Sequence, residues 1–138
     1  MATKTYDVRW KQRFENFKKS LAHLSEAVEI EEPGIIQQAG TIQFFEMSFE
    51  LAWKTLKDYL EEQGFADIKS PKATIKKSFE ISLIKDGHTW LEALENRNLA
   101  AHTYDEETAN EIYELICHSY FPLLDNLRNT METLANES

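Results

Sequence analysis

Phe44-Phe45-Glu46-Met47-Ser48-Phe49-Glu50-Leu51-Ala52-Trp53-Lys54-Thr55-Leu56-Lys57-Asp58-Tyr59-Leu60 is the stretch whose periodicity decides the fold. With Ile42 added, the residues Phe45, Phe49, Ala52, Leu56 and Leu60 recur at spacings of three and four, the repeat of one face of an α-helix. Phe44, Met47 and Leu51 form a neighbouring stripe and Trp53 widens the first, so more than half of the circumference is apolar. A helix of that kind belongs at the centre of a bundle or against another subunit. Pro33-Gly34 opens it and Gly64 stops it, which predicts a helix over residues 35–63.

The flanks read the same way. Trp10, Phe14, Phe17, Leu21, Leu24 and Val28 make a single seam on a helix over residues 7–29. Ser70-Pro71 supplies an N-cap followed by proline at the first helical position, opening a short helix that the pattern carries to about Lys85, before Asp86-Gly87. A fourth helix follows over residues 88–101. Thr103 and Glu106 read as a capping box for the last helix, whose seam is Ala109, Ile112, Ile116, Tyr120, Leu123, Leu127 and Leu134. Pro122 removes the hydrogen bond to the His118 carbonyl and predicts a bend there. Long helices joined by short connections give an all-α fold: an up-and-down four-helix bundle with an extra short helix, five helical segments in all.

Composition agrees. A chain of 138 residues suits a single domain spanning 1–138, and 4 glycines and 3 prolines are too few to turn a many-stranded sheet. Cys117 is the only cysteine, so no disulfide can form within the chain. The polar start and the absence of a long apolar run predict a cytoplasmic protein without a membrane span. The formal net charge of −9 opposes binding of nucleic acid through bulk electrostatics, so an RNA function needs a local positive site or a partner.

The chemistry-bearing run is Arg97-Asn98-Leu99-Ala100-Ala101-His102-Thr103-Tyr104. Arg97 falls on the stripe of Trp90, Leu94 and Ala101, aimed toward covered surface, where a guanidinium needs a carboxylate, a phosphate or backbone carbonyls. An ion pair with Glu46 or Glu50 is one reading and a phosphate site is the other. His102 stands where the fourth helix ends; it can cap carbonyls, or serve as a proton acceptor at neutral pH beside an arginine that holds a phosphate. Five residues turn an ideal helix by roughly 140°, so the two share a site only if the helix unwinds or a second subunit joins them. Tyr104 reads either as an exposed turn tyrosine or as part of a phosphate rest at the first turn of the last helix.

Arg97, Asn98, His102 and Tyr104 match the R-N-x-x-x-H-x-Y form of the HEPN superfamily motif. The residues 44–60 quoted above, Ser70-Pro71, Ile84-Lys85-Asp86-Gly87 and the run 97–105 resemble the nucleotidyltransferase substrate-binding proteins within it, in the expected order. The resemblance implies a helical bundle that forms a homodimer with the motif lining the interface. It also implies a neighbouring gene for a minimal nucleotidyltransferase, the two acting as toxin and antitoxin. The helical member is then a metal-independent endoribonuclease acting on RNA and needing no cofactor, silenced by transfer of AMP to the motif tyrosine. Carried over, His102 is the general base toward a ribose 2′-hydroxyl, Arg97 steadies the phosphorane charge, Asn98 orients the site, and Tyr104 is modified. The alternative the family name suggests is a non-catalytic subunit presenting substrate to a nucleotidyltransferase.

Other features carry less. Glu46 and Glu50, four apart among aromatics, suit neutralising a buried cation or contacting a nucleotide or partner, and without any Glu-x-x-His they do not make a di-metal bundle site. His23, His88 and His118 lie singly without metal spacing. Lys69, Lys72, Lys76 and Lys77 form the best basic patch: a solvated helix face, or a contact for RNA through Lys72 and Lys76.

Overall fold

The computed structural model describes residues 5–100 and 105–137. The elements in order are α1 (Thr5–Val28), α2 (Ile35–Glu62), α3 (Pro71–Glu80), α4 (Gly87–Ala100), α5 (Glu106–Leu115), a π turn (Ile116–Tyr120) and α6 (Phe121–Glu137). The last three run on as one long helix, and no strand occurs among the described residues. The architecture is the all-helical bundle expected.

Helices α1 and α2 are antiparallel, because their cross-links run in opposite directions. Trp10 Nε1 donates to Glu62 Oε2 at 2.8 Å, Arg13 Nε to Asp58 Oδ2 at 3.0 Å, Ser20 and Ser48 share a buried hydroxyl bond of 2.7 Å, and the His23 and Phe44 rings stack at 5.2 Å. The whole seam of α1 from Trp10 to Leu24 is buried. Helix α2 touches every other helix, which answers why it is apolar on so many sides. Phe45 lies on Tyr120 of the π turn and Phe49 on Trp90 of α4, with all four side chains essentially without solvent exposure. Burying a side chain of that size contributes about 1.5–3 kcal/mol, so these contacts fix the relative positions of α2, α4 and the last helix.

Two helices end in the same device. At the end of α2, Gly64 adopts φ 97°, Gly64 N–H donates to the Glu61 carbonyl and Phe65 N–H to the Leu60 carbonyl. At the end of α3, Ser82 adopts φ 64°, Ser82 N–H donates to the Phe79 carbonyl and Leu83 N–H to the Ser78 carbonyl. Both are Schellman caps. The first uses the glycine that favours the left-handed region; the second uses a serine, so α3 stops at Glu80 rather than near Lys85. Its start is as read: Ser70 Oγ accepts from Ala73 N–H at 3.1 Å, with Pro71 at the first position.

The last helix starts later than the capping box implied. Its cap is Asp105, whose carboxylate accepts from the Thr108 amide and hydroxyl at 3.2 and 2.7 Å, and Thr103 lies outside the described residues. Near Pro122 the chain adopts a π turn, with Phe121 N–H bonded to the Ile116 carbonyl. The missing proline amide is absorbed by shifting one turn to the wider register. Tyr120 is thereby fully buried, and Met131 joins the seam.

Candidate functional site

Helix α4 packs on the core through one face, and Arg97 continues that same face past the buried residues toward α2. Trp90 and Ala93 are buried, and Asn96 Nδ2 donates to the Tyr120 hydroxyl at 2.5 Å. That hydroxyl donates in turn to Glu92 Oε1 at 2.7 Å. Burial first, then the Glu92 carboxylate, pushes the Tyr120 phenol up to about 12 against the opposing effect of Asn96, so it stays protonated and the chain of bonds stays intact. The rotation of α4 is thus set one residue before the motif begins.

Arg97 then reaches across to α2. Its Nη2 donates to Glu50 Oε1 at 2.5 Å and its Nη1 to Asn98 Oδ1 at 3.2 Å. Among the described residues its Nε has no partner. The Arg97 side chain keeps 30% of its surface in solvent and Glu50 keeps 31%, so the pair sits at the rim of the bundle rather than inside it. Glu50 also accepts from Trp53 Nε1 at 3.2 Å and pairs with Lys54 at 2.9 Å. Burial would raise the Glu50 carboxyl. The hydrogen bonds from Lys54 and Trp53 and the charges of Arg97 and Lys54 outweigh it, holding the group below the usual carboxylate range. Glu50 is therefore ionised at neutral pH and orients the guanidinium.

One turn along each helix from this pair opens a groove of about 540 Å³. Ala39, Ile42 and Glu46 of α2 form one wall, and Ala100 of α4 with Glu106 and Ala109 of α5 form the other. Gln38 Nε2 donates to Asn110 Oδ1 at 3.5 Å between α2 and α5. Glu46 and Glu50 share a face of α2, as Arg97 and Ala100 share one of α4.

The structure brings Arg97, Asn98, Glu50 and Glu46 to this end of the molecule. His102 and Tyr104 lie outside the described residues. Lys72 and Lys76 do not belong here; both are carried on α3, with outward-facing side chains. At the start of the last helix, near the phosphate rest considered for Tyr104, the Thr108 amide is taken by Asp105, and Glu106 and Glu107 fill the first turn. Three carboxylates there use the positive end of the dipole that an anion would need. Trp53, Asn96 and Tyr120, which position the Arg97 pair, went unread as site residues, because in the sequence each looks like ordinary apolar or surface pattern.

A model of the family described as nucleotidyltransferase substrate binding protein like matches residues 12–133. A protein of Haemophilus influenzae named probable ribonuclease HepT is 32% identical, the match covering 70% of this chain and 73% of that protein. A crystal structure from Thermus thermophilus superposes with a TM-score of 0.75 at 33% identity, covering 80% of this chain and 94% of that one. A second solved chain, from Haemophilus influenzae and described as the fold of a substrate binding domain of a nucleotidyltransferase, gives 0.66 at 24% identity, covering 91% and 98%.

Proposed function

The chain belongs to the family of nucleotidyltransferase substrate-binding-like proteins, and from that premise we propose that it is a HEPN-type toxin. It acts as a metal-independent endoribonuclease, works as a homodimer, and is held in check by a minimal nucleotidyltransferase partner. The observation that carries this reading is Arg97 itself. A permanent cation is held at the rim of the bundle by one carboxylate oxygen, one helical turn from the groove that Glu46 and Ala100 line, with Nε unbonded among the described residues, at the start of the run Arg97 to Tyr104. The name of the 32% identical relative supports the same direction.

In this reading the neutral imidazole of His102 takes the proton of a ribose 2′-hydroxyl. The 2′-oxygen bonds to phosphorus, the bond from phosphorus to the 5′-oxygen of the next nucleotide breaks, that oxygen takes its proton from water, and the imidazolium gives its proton back to solvent. The products are a 2′,3′-cyclic phosphate and a 5′-hydroxyl. Arg97 meets the charge that builds on the phosphorane oxygens, the kind of preorganised stabilisation that dominates phosphate chemistry without a metal. Asn98 restrains the guanidinium through Nη1. Tyr104 is the acceptor of AMP from the partner.

The homodimer is supported by apolar surface beside the site. Ile35, Ile36 and Met47 of α2 and Leu99 of α4 are 62%, 84%, 46% and 51% exposed. A second copy of the chain covers them, and a two-fold relation brings a second motif to the same opening. The runner-up reading, a non-catalytic subunit presenting substrate to a nucleotidyltransferase, draws support from the net charge of −9 and from the Asp105, Glu106 and Glu107 carboxylates at the groove end. Expression of the wild type, Arg97→Ala and His102→Ala, scored by growth and by integrity of cellular RNA, separates the two. Arrest and RNA loss with the wild type alone support the nuclease; equal behaviour of all three removes it.

A further inference from the structure

We infer that α3 carries a contact strip for single-stranded RNA, outside the Arg97 site, in which Lys72 and Lys76 take phosphates and Phe79 stacks a base. Positions 72, 76 and 79 are spaced four and three apart and share one face of α3, opposite the buried Thr74, Ile75 and Ser78. Lys72 and Lys76 are exposed, and among the described residues neither is paired with a carboxylate. The charge is local. The segment 65–87 holds five lysines against three carboxylates, in a chain of formal net charge −9.

Phe79 is built as a platform. It is 53% exposed although it is a large aromatic. Its ring lies against Gly87, which is buried; a Cβ on Gly87 would come within 2.8 Å of the ring. The absence of a side chain at Gly87 lets the ring settle on backbone and keep its outer side open to solvent. An open ring beside unpaired lysines is the combination that binds single strands without reading sequence: phosphates go to the cations and a base goes to the ring. Gly87 begins α4, and Arg97 lies ten residues further, about 15 Å along the helix axis, a span a few nucleotides can cover.

The strip rests on the ribonuclease reading, since it places another part of the same substrate strand, so its test reads binding and not cleavage. A fluorescently labelled 2′-O-methyl oligoribonucleotide, which has no attacking hydroxyl, is titrated with the full chain and followed by anisotropy at several salt concentrations. The Lys72→Ala/Lys76→Ala variant binds about tenfold more weakly, and its slope of log affinity against log salt falls by about 1.4, the value for two phosphate contacts on a single strand. Phe79→Ala loses about fivefold or more, the range for one stacked base, and Phe79→Trp regains wild-type affinity. Unchanged affinity in the double-lysine variant overturns the strip, as does a Phe79→Trp protein that binds as poorly as Phe79→Ala. Loss of association with the nucleotidyltransferase while RNA affinity holds gives these lysines to a protein partner and overturns it as well. Binding with the predicted pattern by a protein that never cuts RNA upholds the strip and overturns only the nuclease reading.

Discussion

Arg97 and Glu50 meet across the contact of α4 with α2, Nη2 donating to Oε1 at 2.5 Å, while Lys54 and Trp53 hold the same carboxylate from its own helix. The arrangement ties the arginine of the motif to the scaffold and leaves part of its donor edge available. Glu50 thus orients the Arg97 guanidinium, and its removal has an effect on stability that can be measured.

Glu50→Gln lowers stability at pH 7 by about 1 kcal/mol, the upper range for a partly exposed ion pair, or about 3–5 °C in Tm for a chain of this size. Because the folded carboxyl sits below its ordinary range, the contribution is present above the unfolded value and is lost as pH falls through the folded one. The melting curves of wild type and variant therefore draw together as the pH falls below the ordinary carboxylate range. A gap that does not narrow at all on acidification rules out the ion pair as its source.

Tyr120→Phe removes the hydroxyl that joins Asn96 to Glu92. It costs about 1 kcal/mol through the two lost hydrogen bonds and loosens the rotation of α4, and under the proposed ribonuclease reading RNA cleavage falls with it. Both Tyr120 and Tyr113 are pushed up to about 12, so their protonated forms contribute stability that is intact below about pH 10 and fades as the pH approaches 12. Alkaline unfolding followed by circular dichroism starts in that window for the wild type and is shallower for Tyr120→Phe.

The bundle was legible because its seams are clean: the apolar spacings of α1 and α2 demand helices, and α2 proves central because it has more apolar surface than one neighbour can cover. The end of α3 was not legible, since Ser82 takes a left-handed conformation that nothing in its side chain announces, whereas Gly64 announces the same cap. The last helix shows the limits of counting turns. Pro122 signals a disturbance, but a π turn and a simple bend both satisfy its missing amide. At the site, Arg97 and its need for a carboxylate were readable from register, while the choice of Glu50 depends on the angle between α2 and α4, which the Phe49–Trp90 contact sets.

On the proposed homodimer, Ile36→Asp is expected to disperse the pair while leaving the monomer folded, because Ile36 is 84% exposed and contributes little to the core. Sedimentation velocity shows a single species of monomer mass for the variant and twice that for the wild type. Monomers in both samples remove the dimer from the account. RNA cleavage by the dispersed variant drops sharply if both motifs are needed at one opening.

If the proposed partnership holds, co-expression with a minimal nucleotidyltransferase partner adds the mass of one AMP to the peptide that holds Tyr104, and Tyr104→Phe stays unmodified and toxic. An unmodified Tyr104 in a complex that nonetheless silences the protein refutes the covalent mechanism of inhibition.

The most direct test is end-group analysis of RNA incubated with purified wild-type protein in excess chelator, beside Arg97→Ala and His102→Ala. The expected products with the wild type are fragments ending in 2′,3′-cyclic phosphate and 5′-hydroxyl, formed at rates reduced on the order of a hundredfold or more in each variant. Fragments of the same kind formed equally fast by all three proteins, or none from the wild type, contradict the nuclease assignment.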